Sequence, residues 1–519
     1  MDRIMSQNFH RFQYEGSAES KYTAFAGLPL FFEMAQGCGL IDEIKNKMTL
    51  NKQGWPDSKI IQAILQLNFS GGDCLEDIDR LEADEGLKAL LKQTEYLGLS
   101  RKERQAYRSR FRTQKDRALP SSSAIRRYLE KFHEEAEEEK RTLGQAFIPA
   151  PSPALKMLKD LNKIQVDFIQ KHHPVEVATL DQDATLAETH KRQALYCYKK
   201  YKAYQPFNTY WAEQDLLLHS EFRDGNVNAG FDQLRLLKES VALLPSGVQK
   251  VYLRSDSAGY QEDLLRYCAE GRNERFGVIE FAIAARVTQS FKTAVLQVSD
   301  QEWQPLYKKD EDGNAIKTDQ EWAEVGFVPA WSAKSKKNPD YRYLAMRERF
   351  ISQPTLPGFE PVQPELPFQT LVMKKGEYKL FGLVTNRTLP GNDLINWLRK
   401  RCGASEKVHC IQKADLAGGQ FPSNKFGANA AWWQIMVLAF NLISLMKNLV
   451  LPESLKHKRM KGLRFHLINI AGCVVTHARK LIVKVSSHVD VLGLILNVRK
   501  KIAALATPPP RRIKACPWT

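Results

Sequence analysis

Apolar residues recur at three- and four-residue spacing across residues 22–45 and 57–68, which predicts two helices near the N-terminus. Gly71-Gly72-Asp73 breaks the period, and residues 75–91 resume it with an acidic face that includes Glu76, Asp79 and Glu82. Such a face is read as solvated. The sign then reverses: between Arg101 and Arg117 eight basic residues, among them Arg108 and Arg112, interleave with Tyr107 and Phe111. The next stretch, LPSSSAIRRYLEKF, offers serines as helix caps and sets Arg126 and Arg127 early in a helix. Hydroxyls and arginines at a helix start suit contact with a phosphate backbone. Glu134–Glu139 reads as another solvated face, and Pro149, Pro151 and Pro153 mark a linker.

From about Ile164 the pattern changes. VEVATL, residues 175–180, is apolar and β-branched, as a buried central strand requires. YKAYQPFNTY reads as strand and turn, residues 216–223 as a further apolar stretch, and residues 228–244 as an amphipathic helix. KVYLR is a strand running into Ser255-Asp256-Ser257, and residues 260–270 form the helix after it. That order is the order of a mixed α/β sheet with helices on its faces. Residues 276–286 give another strand. Short β-like runs at 342–346, 370–373 and 378–385, separated by polar and Pro-rich loops, predict a β-rich insertion.

After Asn386 the chain returns to helix. Residues 394–401 predict a short helix ending near Gly403, and Ser405 is placed to cap a second one with Glu406 in its first turn. The run ANAAWWQIMVLAFNLISLMKNLV, residues 428–450, approaches a membrane span in length, but Asn429, Gln434, Asn441 and Ser444 interrupt it. A buried core helix is expected, and no membrane association. AGCVVTHARKLIVKV, within residues 464–486, reads as a helix with a basic edge passing into a strand, and the tail TPPPRRIKACPWT as a segment that orders only on binding. The chain thus divides into a helical N-terminal region (1–150), the first half of an α/β core (160–275), the β-rich insertion (276–390), the second half of the core with the glutamate helix (391–450) and a basic C-terminal region (451–519).

Charge sharpens this picture. The net charge is +17, and residues 451–519 hold 14 Lys or Arg against Glu453 and Asp490. An excess of this size suggests a polyanionic partner. The eight cysteines are scattered without a CxxC pair, which argues against a zinc ribbon or a secreted disulfide scaffold and for reduced thiols in the cytoplasm. The N-terminus, MDRIMSQNFHRFQYEG, has no apolar stretch of the signal-peptide kind.

Candidate chemistry lies in three acids. Asp183 and Asp256 end buried strands, where a carboxylate is held rigidly yet can reach solvent, and Glu406 would reach in from a helix. Hard cations such as Mg²⁺ take oxygen ligands and keep several waters, so two or three carboxylates suffice. Two such ions can clamp the attacking and leaving oxygens of an in-line phosphoryl displacement. Arg254 and Lys413 add charge for phosphates, and Lys413 follows Glu406 by seven residues, two helical turns. In LDQDAT, Asp181 and Asp183 share one face of an extended strand, so alternation does not choose between them.

LDQDAT, LRSDSAGY, RCGASEKVHCIQK and FPSNKFGANAAWWQIMVLAFNLISLMK together resemble the DDE transposases of bacterial insertion sequences. Within them, the insertion sequence 1380 family, related to the insertion sequence 4 type, is the most similar group. SGGDCLEDIDRLEAD and AGCVVTHARKL extend the resemblance over most of the chain. It implies an RNase H-like catalytic core, a mixed sheet flanked by helices, with a β-rich insertion in the 150-residue step from Asp256 to Glu406. A helical N-terminal DNA-binding region and a helical, basic C-terminal region would flank it.

The resemblance also implies a chemistry: cleavage of double-stranded DNA at transposon ends, then attack of the freed 3′-hydroxyl on target DNA. Two Mg²⁺ or Mn²⁺ ions would sit on Asp183, Asp256 and Glu406, with Lys413 as a further catalytic residue and a homodimer holding both ends. Arg108, Arg112, Arg126, Arg127, Arg254 and Arg401 would be the DNA contacts. Asp183 is preferred to Asp181 because the family's acid precedes a small residue and Thr, here Ala184-Thr185. The group's Tyr-Arg-Glu-Lys signature has two, three and six residues between its members. Glu406 and Lys413 keep the six, but the Arg position falls on Cys402 and the Tyr position on Arg399, with Arg401 and Trp397 nearby and out of register. Two other readings share the same features: a non-catalytic, domesticated DNA-binding protein, and a metal nuclease without strand transfer.

Overall fold

The computed structural model describes residues 21–96, 99–112, 115–141, 145–310, 312–333, 341–350, 368–477, 480–485 and 489–506. The Pro-rich loop 354–367 and the tail from residue 507 lie outside them. The chain divides into two compact units, one of residues 1–135, 151–165 and 413–519, the other of residues 136–150 and 166–412.

The second unit is built on a ten-stranded mixed sheet. Its strands are β1 (Val177–Ala184), β2 (Phe207–Trp211), β3 (Leu216–Glu221), β4 (Lys250–Ser255), β5 (Glu280–Ala285), β6 (Gln304–Lys309), β7 (Ala315–Val325), β8 (Arg342–Arg349), β9 (Gln369–Met373) and β10 (Gly376–Thr385). The spatial order is β6-β7-β8-β10-β5-β4-β1-β2-β3, with β9 beside β10. β1, β4 and β5 run parallel, and every other pairing is antiparallel. The β-rich stretch expected as an insertion pairs strand to strand within itself, and through β10 and β5 it also extends the core sheet. β1 and β4 are central and buried, which is why VATL and VYL read as apolar runs rather than alternating ones.

Helices α1 (Gln233–Leu243), α2 (Glu262–Ala269) and α3 (Gly391–Cys410) flank this sheet. The break expected at Gly403 is absent, and α3 is one helix of 20 residues. Its buried positions Leu394, Ile395, Leu398, Arg401, Ser405 and Val408 keep one face through Gly403, so packing overrides that residue's low propensity. Leu394, Ile395 and Leu398 join Ala282, Leu306, Trp322, Leu344 and Leu383 in one apolar cluster. Gly391 lets α3 begin against the Trp322 ring, because a Cβ there would lie 2.1 Å from it. A π-helical turn, Ile411–Asp415, follows α3 directly.

The first unit is mainly helical and centres on α4 (Phe426–Leu445), every residue of which is buried. The helix is long and apolar enough to cross a membrane, yet it is the core of this unit, packed by the helices 57–70, 122–130 and 153–160. Its polar interruptions are satisfied inside: Asn429 bonds both ways with the Ser423 backbone, and Asn441 donates to Asn162 at 2.6 Å. The stretch expected as a basic C-terminal helix forms a hairpin instead, Gly472–His477 against Lys480–Val485, with Tyr22–Thr23 at its edge. Val474, Val475, Ile482 and Val483 favour a pleated surface, and cross-strand pairing outweighs the helical spacing.

Candidate active site at the ends of β1 and β4

Three polar residues of β1 meet different neighbours. Asp181 is completely buried and takes a two-pronged bond from Arg254 of β4, at 2.5 and 2.8 Å. Arg254 also donates to the Trp397 carbonyl at 2.8 Å and lies over the Trp397 ring. Expected to meet phosphates, Arg254 is instead a buried clasp between β1, β4 and α3. Gln182 faces the other side of the sheet and donates to Thr209. Asp183 points the same way as Asp181, as the alternation requires, and accepts from Arg401 at 2.9 Å. The geometry thus separates the two acids: Asp181 is committed to Arg254, and Asp183 reaches the end of the strand.

Asp256 follows the last residue of β4. Because Gln182 pairs with Ser255 in parallel register, the next residues, Asp183 and Asp256, come side by side. Asp256 accepts from the Ala258 amide at 3.0 Å, which fixes its side chain at the start of a short 3₁₀ turn. Burial raises the carboxyl pKa of both acids above the usual range, and at Asp256 the charge of Asp183 adds to it. Arg401 acts against this at both. Burial works against the Arg401 cation in turn, but the carboxylates of Asp183, Asp256 and Asp181 outweigh it, and its pKa lies above the ordinary value.

Helix α3 supplies Arg401 and, four residues on, Ser405, which is buried and helps to steady the Asp183 carboxylate. Glu406 is exposed. Successive helical residues point roughly 100° apart, so a face that presents Ser405 to Asp183 turns Glu406 toward solvent. Among the described residues no three His, Cys, Asp or Glu side chains gather as a metal site. Asp183 and Asp256 alone form a pair of mutually repelling, half-buried carboxylates, a donor set that fits one hard cation completed by water or phosphate oxygens.

Ser405 was not legible as a site residue, although its four-residue step from Arg401 was the available signal. Asn208 and Gln412 were also missed. Asn208 pairs with Asp183 across β1 and β2, donates to Gln412 at 2.9 Å and accepts from Ser220 at 2.7 Å, which pins the backbone next to Asp183.

The remaining expected residues belong to the first unit. Lys413 lies in the π-helical turn, and its carbonyl accepts from Gly419. Arg108, Arg112, Arg126 and Arg127 are all exposed. Arg108 lies over the Tyr96 ring, and Arg126 pairs with Glu76 at 3.0 Å. The helix Ser122–Glu130 is capped by Ser121, as its sequence predicts.

Comparison with known proteins adds three findings. The family described as transposase DDE domain, group 1, matches residues 18–507. Among curated proteins none matches. Among solved structures the chain is similar to the piggyBac transposase in its synaptic complex with hairpin DNA, at 10% identity and a TM-score of 0.40, over 93% of this chain and 78% of that one.

Proposed function

Because the chain belongs to the DDE transposase domain family, we propose that it is a transposase of the insertion-sequence kind, closest to the insertion sequence 1380 group. In this reading it binds transposon ends as double-stranded DNA, cleaves them hydrolytically and joins the 3′-hydroxyl ends to target DNA. One observation carries it: two half-buried carboxylates, Asp183 and Asp256, end neighbouring parallel strands of a mixed sheet with Arg401 in their field. The strand order β3-β2-β1-β4-β5, three antiparallel strands followed by two parallel to β1, supports an RNase H-like core. It acts in the bacterial cytoplasm, as a dimer that holds two ends together.

A divalent cation, Mg²⁺ or Mn²⁺, supplies charge stabilisation on the phosphoryl oxygens when bound. Asp183 and Asp256 would hold one such ion, and Arg401, beside Asp183, would offer its charge to a phosphate. Glu406 would join the site, and help to hold a second ion, through a one-residue slide of α3. A π-turn holds one residue more than an α-turn, and Ile411–Asp415 is such a turn. If the extra residue moves upstream to Gly403, where an added Cβ would meet nothing within 4 Å, Glu406 takes the place of Ser405.

The exposure of Glu406 also favours a second reading, a DNA-binding relative that does not cut. Nicking of DNA that carries the element's ends, in Mg²⁺ or Mn²⁺, decides between them. Cleavage lost in Asp256→Asn, with DNA binding kept, is the outcome expected of the transposase. Cleavage retained in that variant refutes the assignment.

A further inference from the structure

Between Asp183 and the return strand β2 the chain leaves the main sheet and builds a small knuckle. It contains three short antiparallel strands, Ala187–Glu188, Leu195–Tyr196 and Lys202–Tyr204, in the order first, third, second. The knuckle departs and returns at the catalytic end of β1: Ala184 pairs with Phe207, and the Thr185 amide donates to the Pro206 carbonyl at 3.0 Å. Its base is fixed. Tyr204 is buried against Phe222, with ring centroids 4.7 Å apart, and a Cβ on Gly225 would lie 2.5 Å from the Ala203 carbonyl oxygen.

The outer part of the knuckle is unlike an ordinary solvated hairpin. Tyr196 is 64% exposed and Tyr198 75%, while Cys197 between them is buried. Both phenol rings thus face solvent, Tyr196 from the end of its strand and Tyr198 from the turn that follows. The tip is tight: Cys197 and Tyr201 close it through a backbone bond at 2.9 Å, and Lys200 takes a left-handed backbone, φ 68°. Lys199 lies beside the Tyr198 ring and Lys202 beside the Tyr196 ring, each 5.9 Å from the centroid. From Ala187 to Tyr204 the sequence has Lys191, Arg192, Lys199, Lys200 and Lys202 against the single acid Glu188.

Exposed aromatic faces interleaved with cations are what an unpaired nucleic-acid strand needs: stacking for its bases and charge for its backbone. A duplex offers no base faces to stack on. We propose that this knuckle binds DNA whose bases are unstacked at the cleaved end, with Tyr196 and Tyr198 as stacking platforms and Lys199 and Lys200 on the backbone. The identity of the partner rests on the transposase reading, but the surface can be tested without a transposon end.

The test is fluorescence anisotropy of the full chain with labelled oligo(dT) and with a random-sequence duplex of the same length, without divalent metal. Tyr196→Ala/Tyr198→Ala is expected to weaken oligo(dT) binding by about tenfold or more and to leave the duplex nearly unchanged. Tyr196→Phe/Tyr198→Phe keeps the rings and is expected to bind as the parent does. Lys199→Gln/Lys200→Gln is expected to weaken both ligands and to flatten the salt dependence. These side chains are exposed, so melting temperatures should not move. Unchanged oligo(dT) affinity in the alanine variant overturns the proposal, and so does an equal loss on oligo(dT) and duplex. A chain that binds oligo(dT) through its tyrosines yet never cleaves DNA supports the knuckle and removes the transposase reading. A chain that cleaves but ignores the tyrosine substitutions does the reverse.

Discussion

The slide of α3 makes the sharpest prediction, because it turns on which of two adjacent residues faces Asp183. In the structure Ser405 does so and Glu406 is exposed. Exchanging them requires roughly 100° of rotation and about 1.5 Å of rise over the residues between Gly403 and the π-turn. Beyond the buried packing of Val408 and Gln412, the slide gives up one favourable term at the site itself, the polar contact of Ser405 with the Asp183 carboxylate. Ser405→Ala removes this term and is expected to speed nicking, while Glu406→Gln should slow it by about a hundredfold or more, the scale of losing a group aimed at transition-state charge. The exchange variant Ser405→Glu/Glu406→Ser puts the carboxylate beside Asp183 without a slide, so it should nick within about tenfold of the parent and show a larger rise in melting temperature with Mn²⁺. Deleting Gly403 removes the extra residue outright, and its product should also cut. The assay is the initial rate of nicking of supercoiled plasmid carrying the element's ends. Full activity in Glu406→Gln refutes the reasoning, as does a folded exchange variant that cannot cut.

Two further predictions concern the clasps around the site. Asp181→Ala leaves Arg254 buried without its partner, which costs about 3–5 kcal/mol, and a urea midpoint within error of the parent would show that the clasp contributes nothing. Asp224 is buried beside Arg141 at 2.6 Å, and burial, opposed by Arg141 and aided by Glu138, raises its pKa to about 7. A raised acid binds its proton more tightly when folded, so its stabilising contribution is full below about pH 4 and is lost as pH rises toward 7. The loss is at most about 4 kcal/mol over that window. Asp224→Asn should flatten this decline in urea melts between pH 4 and 7, and an unaltered slope would contradict it.

How far the site was legible depends on which physical rule placed each residue. Asp183 and Asp256 could be found because a buried strand shows as an apolar run, and a carboxylate at its end is conspicuous. The choice between Asp181 and Asp183 could not be made from alternation, since both lie on one face. Arg254 sets the two apart by committing Asp181 to a buried ion pair, and that contact joins residues 73 apart in the sequence. Strands β6–β10 could be recognised as a β-rich stretch but not placed, because sequence shows strands but not their partners. Only the pairing of Gly382 with Ala285 and its neighbours makes them part of the core sheet.

The glutamate helix shows the same limit at the scale of a single residue. Spacing counts are reliable within one regular helix, and Glu406 to Lys413 looked consistent on that basis. The structure sets Arg401 beside Asp183, and a four-residue step from Arg401 lands on Ser405. The mismatch between Arg401 and Glu406 is therefore one residue, the amount a π-turn absorbs. A sequence reports that a residue has been added to a helix but not in which turn it is carried, because both placements have the same composition and nearly the same backbone bonding. Packing fixes it here: Val408 and Gln412 are buried in the α-register of Ser405, and Gln412 bonds Asn208 next to Asp183. A cation at Asp183 and Asp256 would weigh on the other side, since it rewards a third carboxylate and gives a serine hydroxyl little.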